Sequence, residues 1–439
     1  MKRIVLLLLI TTASLSAQDF GFGFNDEDTS ASSGASRPFA VSIGGEVSAS
    51  IVGYLDELSD GFDKTWLGDI FSGKLNFSAR TPFAEGVINL LVKTTDPYVN
   101  IDEGYVRAYL GNFDITAGLR KLTWGKADSL GPLDVINPLD YSQIFTEMTD
   151  NASLMGIKIA RPLVHVSFRF GDFSKIEGVF IPWFEPHRIP QTGKWAASQM
   201  EMLALAPVPL TPPDTSTLNY AQAGLRFTTT IGSSDIGAQY YYGRIPQPAV
   251  GLTFSLPNPV PEINILYNPY HQIGLDYAQV LFGFNLRAEL AANITEDLKG
   301  DDGSVYNPSI AWSLGFDRDI IWGINLNLQV NESIRLLHDK VGSDNFMSGN
   351  FDIEGGMSLS ATRLTAVLSR KFLRDELEFR AAVIWGIEDS DCAVMPALIW
   401  TKDSIRFAFS GGFFVGDSAG QIGQYRDNHF LKISMSYTF

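Results

Sequence analysis

One cysteine, Cys392, stands in 439 residues, so no internal disulfide can staple the fold. It reads as a small strand residue. Beyond the first ten positions no apolar run reaches 18 residues, which excludes helical membrane spans. No segment carries the 3.6 period of a long amphipathic helix, and no interdomain linker follows the short Asp-, Ser- and Gly-rich stretch from Asp26 to Ser36. Basic residues are also scarce: 33 Lys and Arg against 49 Asp and Glu give a net charge of −16. That balance argues against nucleic acid and anionic lipid surfaces as partners. Histidines number five, and no Gly-x-Ser-x-Gly, His-Glu-x-x-His or paired-Cys motif accompanies them. An enzyme is therefore not expected, and no cofactor or metal site is called for.

What is present begins with MKRIVLLLLITTASLSAQ. Lys2 and Arg3 form a positive n-region, Ile4 to Ile10 an apolar core, and Ser14, Ser16 and Ala17 a small-residue cleavage region. Residues 1–17 read as a secretory signal peptide. Residues 18–38 read as a short periplasmic segment, too short for the plug of a TonB-dependent transporter. From 39 to 439 the chain is written as strand after strand.

In Ile324 to Asn331, INLNLQVN, Ile324, Leu326, Leu328 and Val330 fall on one face and Asn325, Asn327, Gln329 and Asn331 on the other, because strand side chains alternate. The last nine residues, LKISMSYTF, put Leu431, Ile433, Met435, Tyr437 and Phe439 on one face. Such an ending is similar to the terminal strand of bacterial outer-membrane barrels, whose final aromatic is read by the barrel assembly machinery; Tyr437 and Phe439 are the residues in question. Turn signals at Thr81-Pro82-Phe83, Gly111-Asn112, Gly171-Asp172, Gly232-Ser233-Ser234, Phe282-Gly283, Arg318-Asp319, Lys371 to Arg374 and Thr401 to Asp403 alternate with nine longer polar loops. The pattern predicts an all-β, antiparallel up-and-down transmembrane barrel of about 18 strands, or 16 if two weak strands merge. Long loops would be extracellular, and short turns and both termini periplasmic. Trp66, Trp124 and Trp385 fall at the expected outer strand ends and Trp322 and Trp400 at the inner ends, as aromatic girdles would.

Arg80, Arg120, Arg169, Arg226, Arg287, Arg380 and Arg406 keep phase with polar neighbours. A lipid-facing Arg near midplane costs about 2–4 kcal/mol, so these are expected to face the lumen. They would form a basic stripe, or else pair with wall carboxylates such as Glu289 and Glu378. One loop, 125–153, breaks the alternation. Opening WGKADSLGPLDVINPLD, it sets Lys126 against Asp128, Asp134, Asp140, Glu147 and Asp150, yet carries Leu130, Leu133, Val135, Ile136, Leu139, Ile144 and Phe145. A freely solvated loop is rarely so apolar. It is the third long loop, and the expectation is that it folds inward as a pore constriction, with Asn137-Pro138 fixing a turn. An external lid or adhesive loop is the alternative. A second insert, 185–217, holds prolines 207, 209, 212 and 213; Trp195 to Ala206 could form a short helix that partly caps the mouth.

The run Trp124, Gly125, Asp128, Asp134, Ile136, Asn137, Pro138, Asp140, followed by Gly178 to Pro186, resembles an uncharacterised family of porin-like outer-membrane barrel proteins of proteobacteria and spirochaetes. The resemblance implies fold and outer-membrane location, and leaves the substrate open. The functional expectation is passive diffusion of small hydrophilic solutes. Partners would be outer-membrane lipid, the assembly machinery and those solutes, with a homo-oligomer open. A surface adhesin or antigen, or a fatty-acid-type transporter of hydrophobic compounds, is the alternative. A hydrophobic lumen would favour the last; the Asn- and Arg-lined phases do not.

Overall fold

The structure, a computed structural model, describes residues 39–55, 70–94, 97–149, 154–198, 210–254, 261–338, 340, 353–354 and 358–439. The expected signal peptide, residues 18–38, Trp66 and Asp150 lie outside them.

Eighteen antiparallel strands form one closed sheet. In chain order they are β1 (Ala40–Tyr54), β2 (Phe71–Arg80), β3 (Ala84–Lys93), β4 (Asn100–Leu110), β5 (Phe113–Arg120), β6 (Arg161–Phe170), β7 (Ser174–Ile181), β9 (Gln222–Ile231), β10 (Ser234–Arg244), β13 (Pro269–Leu281), β14 (Phe284–Thr295), β15 (Ser309–Asp319), β16 (Ile324–Arg335), β17 (Ser360–Phe372), β18 (Leu377–Gly386), β19 (Asp391–Lys402), β20 (Ile405–Val415) and β21 (Phe430–Thr438). Each pairs with the next, and β1 pairs with both β2 and β21, from Glu46↔Thr438 to Tyr54↔Phe430. Gly45 and Phe439 exchange backbone hydrogen bonds of 2.9 and 3.0 Å at the seam. Closure leaves no barrel strand with an open edge, which a sheet in hydrocarbon requires.

The eight short turns lie at one end of the barrel, seven of them overlapping the turn signals of the sequence; the eighth, read at Arg318-Asp319, falls at 320–323 because β15 runs on through Asp319. At the other end are nine connections, of which the one between β18 and β19 is only Ile387–Ser390. The connection Pro246 to Asn264, read as a polar loop, instead contains a hairpin, β11 (Ala249–Phe254) and β12 (Pro261–Leu266). The Pro-rich stretch between its arms hid the alternation. A two-residue strand from the second insert, β8 (Leu210–Thr211), adds parallel to β12.

Alternation separates the two faces of the wall. On β13, Ile273 and Leu275 are each 53% exposed on the outside, while Gln272 and Asp276 on the inside are 1% and 3% exposed. On β16, Asn327 and Gln329 are buried inward. On the last strand Leu431, Ile433, Met435, Tyr437 and Phe439 all lie on the exposed outer row, and Lys432 is buried on the inner one. Lipid on the outside favours the first row, and a polar interior the second. Outer rings also stack along the short-turn end, Phe113 on Phe168 at 4.4 Å and Phe168 on Phe170 at 5.8 Å.

Candidate pore and its inner loop

The chain from Lys121 to Thr149 does not project away from the barrel. Its first excursion runs from Trp124 to Leu133 across the inner faces of β10, β13, β14 and β16. Glu289 of β14 accepts the backbone N–H groups of Lys126, of Ala127 at 2.7 Å and of Leu133 at 3.2 Å. Gln329 accepts those of Asp128 and Ser129, both at 3.0 Å. Gln239 donates to the carbonyl of Leu133 and Gln272 to that of Pro132, each at 3.0 Å. A loop interior carries many unpaired backbone groups, and this wall pairs them one by one. Two glycines in the run are explained by the same carboxylate: a Cβ on Gly125, whose φ is +98°, would collide with Glu289 Oε1, and one on Gly131 with Oε2.

The excursion returns at Asn137. Its Oδ1 accepts from Leu122 N–H at 2.7 Å, and its Nδ2 donates to the carbonyls of Ile159 at 2.8 Å and Arg120 at 3.1 Å. Asn137 is buried with three backbone partners, so it ties the two stems of the loop together. A second excursion then crosses to the opposite wall as α1 (Ile144–Met148). There Arg380 of β18 donates to the carbonyls of Met148 at 3.0 Å and Thr149 at 2.7 Å. Lys432 of β21 donates to Thr146 O at 2.9 Å, and Ser410 of β20 to Thr149 Oγ1 at 3.2 Å. A segment bonded to the inner rows of both β14 and β21 lies inside the barrel.

The loop carboxylates are mostly paired. Asp128 meets Arg287 of β14 at 2.5 Å and Asn327 of β16 at 2.9 Å. Burial pushes its pKa up, against the pull of the Arg287 guanidinium. Asp134, largely covered, meets Lys158 at 2.6 Å, and desolvation raises its pKa too, against Lys158. Asp140 bonds Arg188 of the second insert at 2.7 Å. Glu147 on α1 is 3.8 Å from Lys93 of β3 and is the more open of the set. His187 accepts the Leu139 N–H on Nδ1 at 2.9 Å; desolvation, with Arg161 nearby, pulls its pKa down to about 4. Burial pushes the neighbouring Tyr141 up to about 12.

The seven arginines sit on the inner row but divide into two groups. Arg120, Arg226, Arg287 and Arg380 are buried. Arg226 meets Asp276 at 2.8 Å and Gln239 at 2.7 Å, and Arg287 meets Asp317 at 2.6 Å as well as Asp128. Arg80, Arg169 and Arg406 are less covered: Arg80 stands over the Tyr109 ring at 5.6 Å, and Arg169 binds Asp114 at 2.8 Å. Glu289 binds loop amides rather than a wall arginine. With Arg120, Arg80 and Arg107, the rings of Tyr105 and Tyr109 form an aromatic and cationic facet of the inner wall.

Trp124 departs from the girdle reading. It is 2% exposed and belongs to an interior cluster with Leu122, Ile136, Leu163, Val179, Ile181, Tyr241 and Tyr270. The chain turns inward directly after β5, and Gly224 on the wall leaves the recess the indole fills. Trp385 and Trp322, in contrast, are exposed. Of the stretch Trp195 to Ala206, Trp195 closes a turn, Ala196 and Ala197 are irregular, Ser198 is helical, and residues 199–206 lie outside the described ones. The wall anchors Glu289, Gln239, Gln272 and Gln329 were not singled out for this role; their signal was a long polar side chain on the inner row of neighbouring strands. Among the described residues no group of three His, Cys, Asp or Glu could hold a metal ion.

Solved structures share this architecture. Pseudomonas aeruginosa OccK2 (OpdF) matches with a TM-score of 0.50 and 9% identity, covering 91% of this chain and 97% of that one, and its complex with glucuronate gives the same values. OccK3 (OpdO) of the same organism matches with a TM-score of 0.50 and 9% identity, covering 91% and 95%. The fold is that of a porin-like outer-membrane barrel. No protein-family model and no curated relative matches the sequence.

Proposed function

We propose that this chain is an outer-membrane channel for passive diffusion of small hydrophilic solutes, narrowed by the loop 125–153. The observation that carries the reading is the pair of anchorages of that loop, on Glu289 and Gln329 at one wall and on Arg380 and Lys432 at the other. A surface loop has no need of bonds to the inner rows of opposite strands. The open part of the inner wall on β1 to β4 carries Ser42, Glu46, Lys74, Asn76 and Arg80, which suits hydrated solutes better than apolar ones. In this reading the long connections face outward, the short turns and termini lie in the periplasm, and Tyr437 and Phe439 present the assembly signal. Electrostatic filtering falls to the less covered charges, Glu147 in the loop and Arg80, Arg169 and Arg406 on the wall, because the buried pairs cancel locally.

Liposome swelling with the refolded protein tests it. Neutral sugars and small acids, with glucuronate as one probe, are expected to enter, and deletion of Leu130 to Asp140 to raise unitary conductance in planar bilayers. A barrel that passes no solute, or a deletion that changes neither conductance nor selectivity, would sink the reading.

A further inference from the structure

Trp195 lies on the second insert, which leaves the barrel after β7, yet its side chain is seated on the far side of the mouth. In the ring, β7 is the seventh strand and β20 the seventeenth, eight strands apart by the shorter path around 18. The indole is 7% exposed. Around it stand Phe145 at 5.2 Å, Tyr425 at 5.5 Å, Phe414 at 5.6 Å, Phe430 at 5.9 Å and Tyr54 at 6.1 Å. Four of these belong to the wall or its connection: Tyr54 ends β1, Phe414 is on β20, Phe430 starts β21, and Tyr425 lies between the last two. The fifth, Phe145, belongs to α1 inside the barrel.

The backbone around the indole is tied to the same place. Tyr425 donates its hydroxyl to the Trp195 carbonyl at 3.3 Å, Asn428 Nδ2 donates to the Lys194 carbonyl, and Ser198 N–H donates to Gln424 Oε1 at 3.0 Å. Lys194 Nζ stands over the Tyr54 ring at 5.2 Å. Among the described residues the rings around Phe145 are those of this cage, Phe414 at 4.9 Å, Trp195 at 5.2 Å and Tyr425 at 5.5 Å. The helix that carries it has five residues and no side-chain cap, and so short a helix holds its place only through contacts with its surroundings.

We infer that Trp195 is a positioning residue of the pore: residues 185–198 of the second insert strap the mouth, and the indole pins α1, through Phe145, against the wall of β20 and β21. The inference rests on the channel reading, since it concerns the width of the passage beside α1. The strap and the inner loop would then move as one body, and solutes meeting the strap first would find the constriction already set.

The test is single-channel conductance of the full refolded barrel in planar bilayers. Trp195→Ala is expected to raise unitary conductance about twofold and to add open-state noise, as a pore does when one wall of its narrowing is freed. Trp195→Phe, which keeps a ring in the cage, is expected to stay near wild type. Phe145→Ala, which removes the other ring of the contact, is expected to raise conductance as Trp195→Ala does, and the double variant no further. Wild-type conductance in Trp195→Ala, in a barrel that keeps its folded electrophoretic mobility, overturns the inference and leaves the channel reading standing. So do effects of Phe145→Ala and Trp195→Ala that simply add in the double variant. A wild-type barrel that conducts nothing overturns both.

Discussion

The carboxylate of Glu289, on the inner face of β14, accepts the backbone N–H of Ala127 at 2.7 Å, 162 positions earlier in the chain. With Lys126 and Leu133 it gathers three amides. Hydrogen bonds to a charged group are each worth about 1.5–3 kcal/mol, and a buried donor left alone costs about 1–3 kcal/mol. Glu289→Ala is therefore expected to free the first excursion of the loop. Limited proteolysis should then cut between Gly125 and Leu133, where wild type resists, and single-channel currents should become larger and noisier. Glu289→Gln keeps an acceptor and should fall between the two. Currents and cleavage identical to wild type in Glu289→Ala would show that the cup is not what holds the loop.

Asp128 and Arg287 are a different kind of anchor. Arg287 is bound by Asp128 at 2.5 Å and by Asp317 at 2.6 Å, with its side chain 5% exposed. Removing one member of a buried charge pair leaves the other uncompensated, at a cost of about 3–5 kcal/mol. Arg287→Ala should lower stability to urea in detergent by that order, and Asp128→Asn added to it should recover part of the loss. If the two effects simply add, the pair is not coupled.

The His187 contact gives a pH dependence. Its ring must be neutral for Nδ1 to accept the Leu139 N–H, and burial beside Arg161 holds its pKa near 4 against an ordinary value of about 6.5. A base with a lowered folded pKa contributes docking that is complete above the unfolded value and lost as pH falls toward the folded one. Around the ring, Arg161 would repel an imidazolium, and Tyr141, raised to about 12, stays neutral; Arg188, the next residue, is held by Asp140. The contact between residues 139–141 and 187–188 should loosen between pH 6.5 and 4. Amide exchange at Leu139 should accelerate over that window in wild type and be pH-flat in His187→Gln, once intrinsic exchange is subtracted. Equal windows in both would remove His187 from the account.

Why the barrel was legible and the inner loop only partly so has a physical reason. A strand between lipid and a polar lumen must alternate, and INLNLQVN and LKISMSYTF display that rule locally, residue by residue. Pro-Phe, Gly-Asn and Gly-Asp pairs mark turns by their own backbone preferences. The loop obeys no period, so its sequence announced only that it was too apolar and too acidic to be free. That Asp128 would find Arg287, 159 positions away, depends on strand register and on Gln and Glu side chains already legible as lumenal but not as anchors. Trp124 shows the limit most clearly. Its position at a strand end suggested a girdle, and only the direction of the chain after Arg120 turns it inward.

That indole supplies the last prediction. A Cβ added to Gly224 of β9 would lie 2.7 Å from Trp124 Cη2, 2.8 Å from Cζ3 and 3.1 Å from Tyr241 Cδ2. No flexible tail is available to yield, because both neighbours are ring atoms in a buried cluster. Overpacking of this kind costs about 1–3 kcal/mol, so Gly224→Ala should lower the barrel's resistance to heat and urea by that order. Adding Trp124→Phe shrinks the ring that collides, and the double variant should be more stable than Gly224→Ala alone even though Trp124→Phe by itself leaves a cavity and destabilises. Such a reversal of sign requires the two residues to share one space. If Trp124→Phe is destabilising by the same amount in both backgrounds, Trp124 does not occupy the recess over Gly224, and the chain does not turn inward after β5.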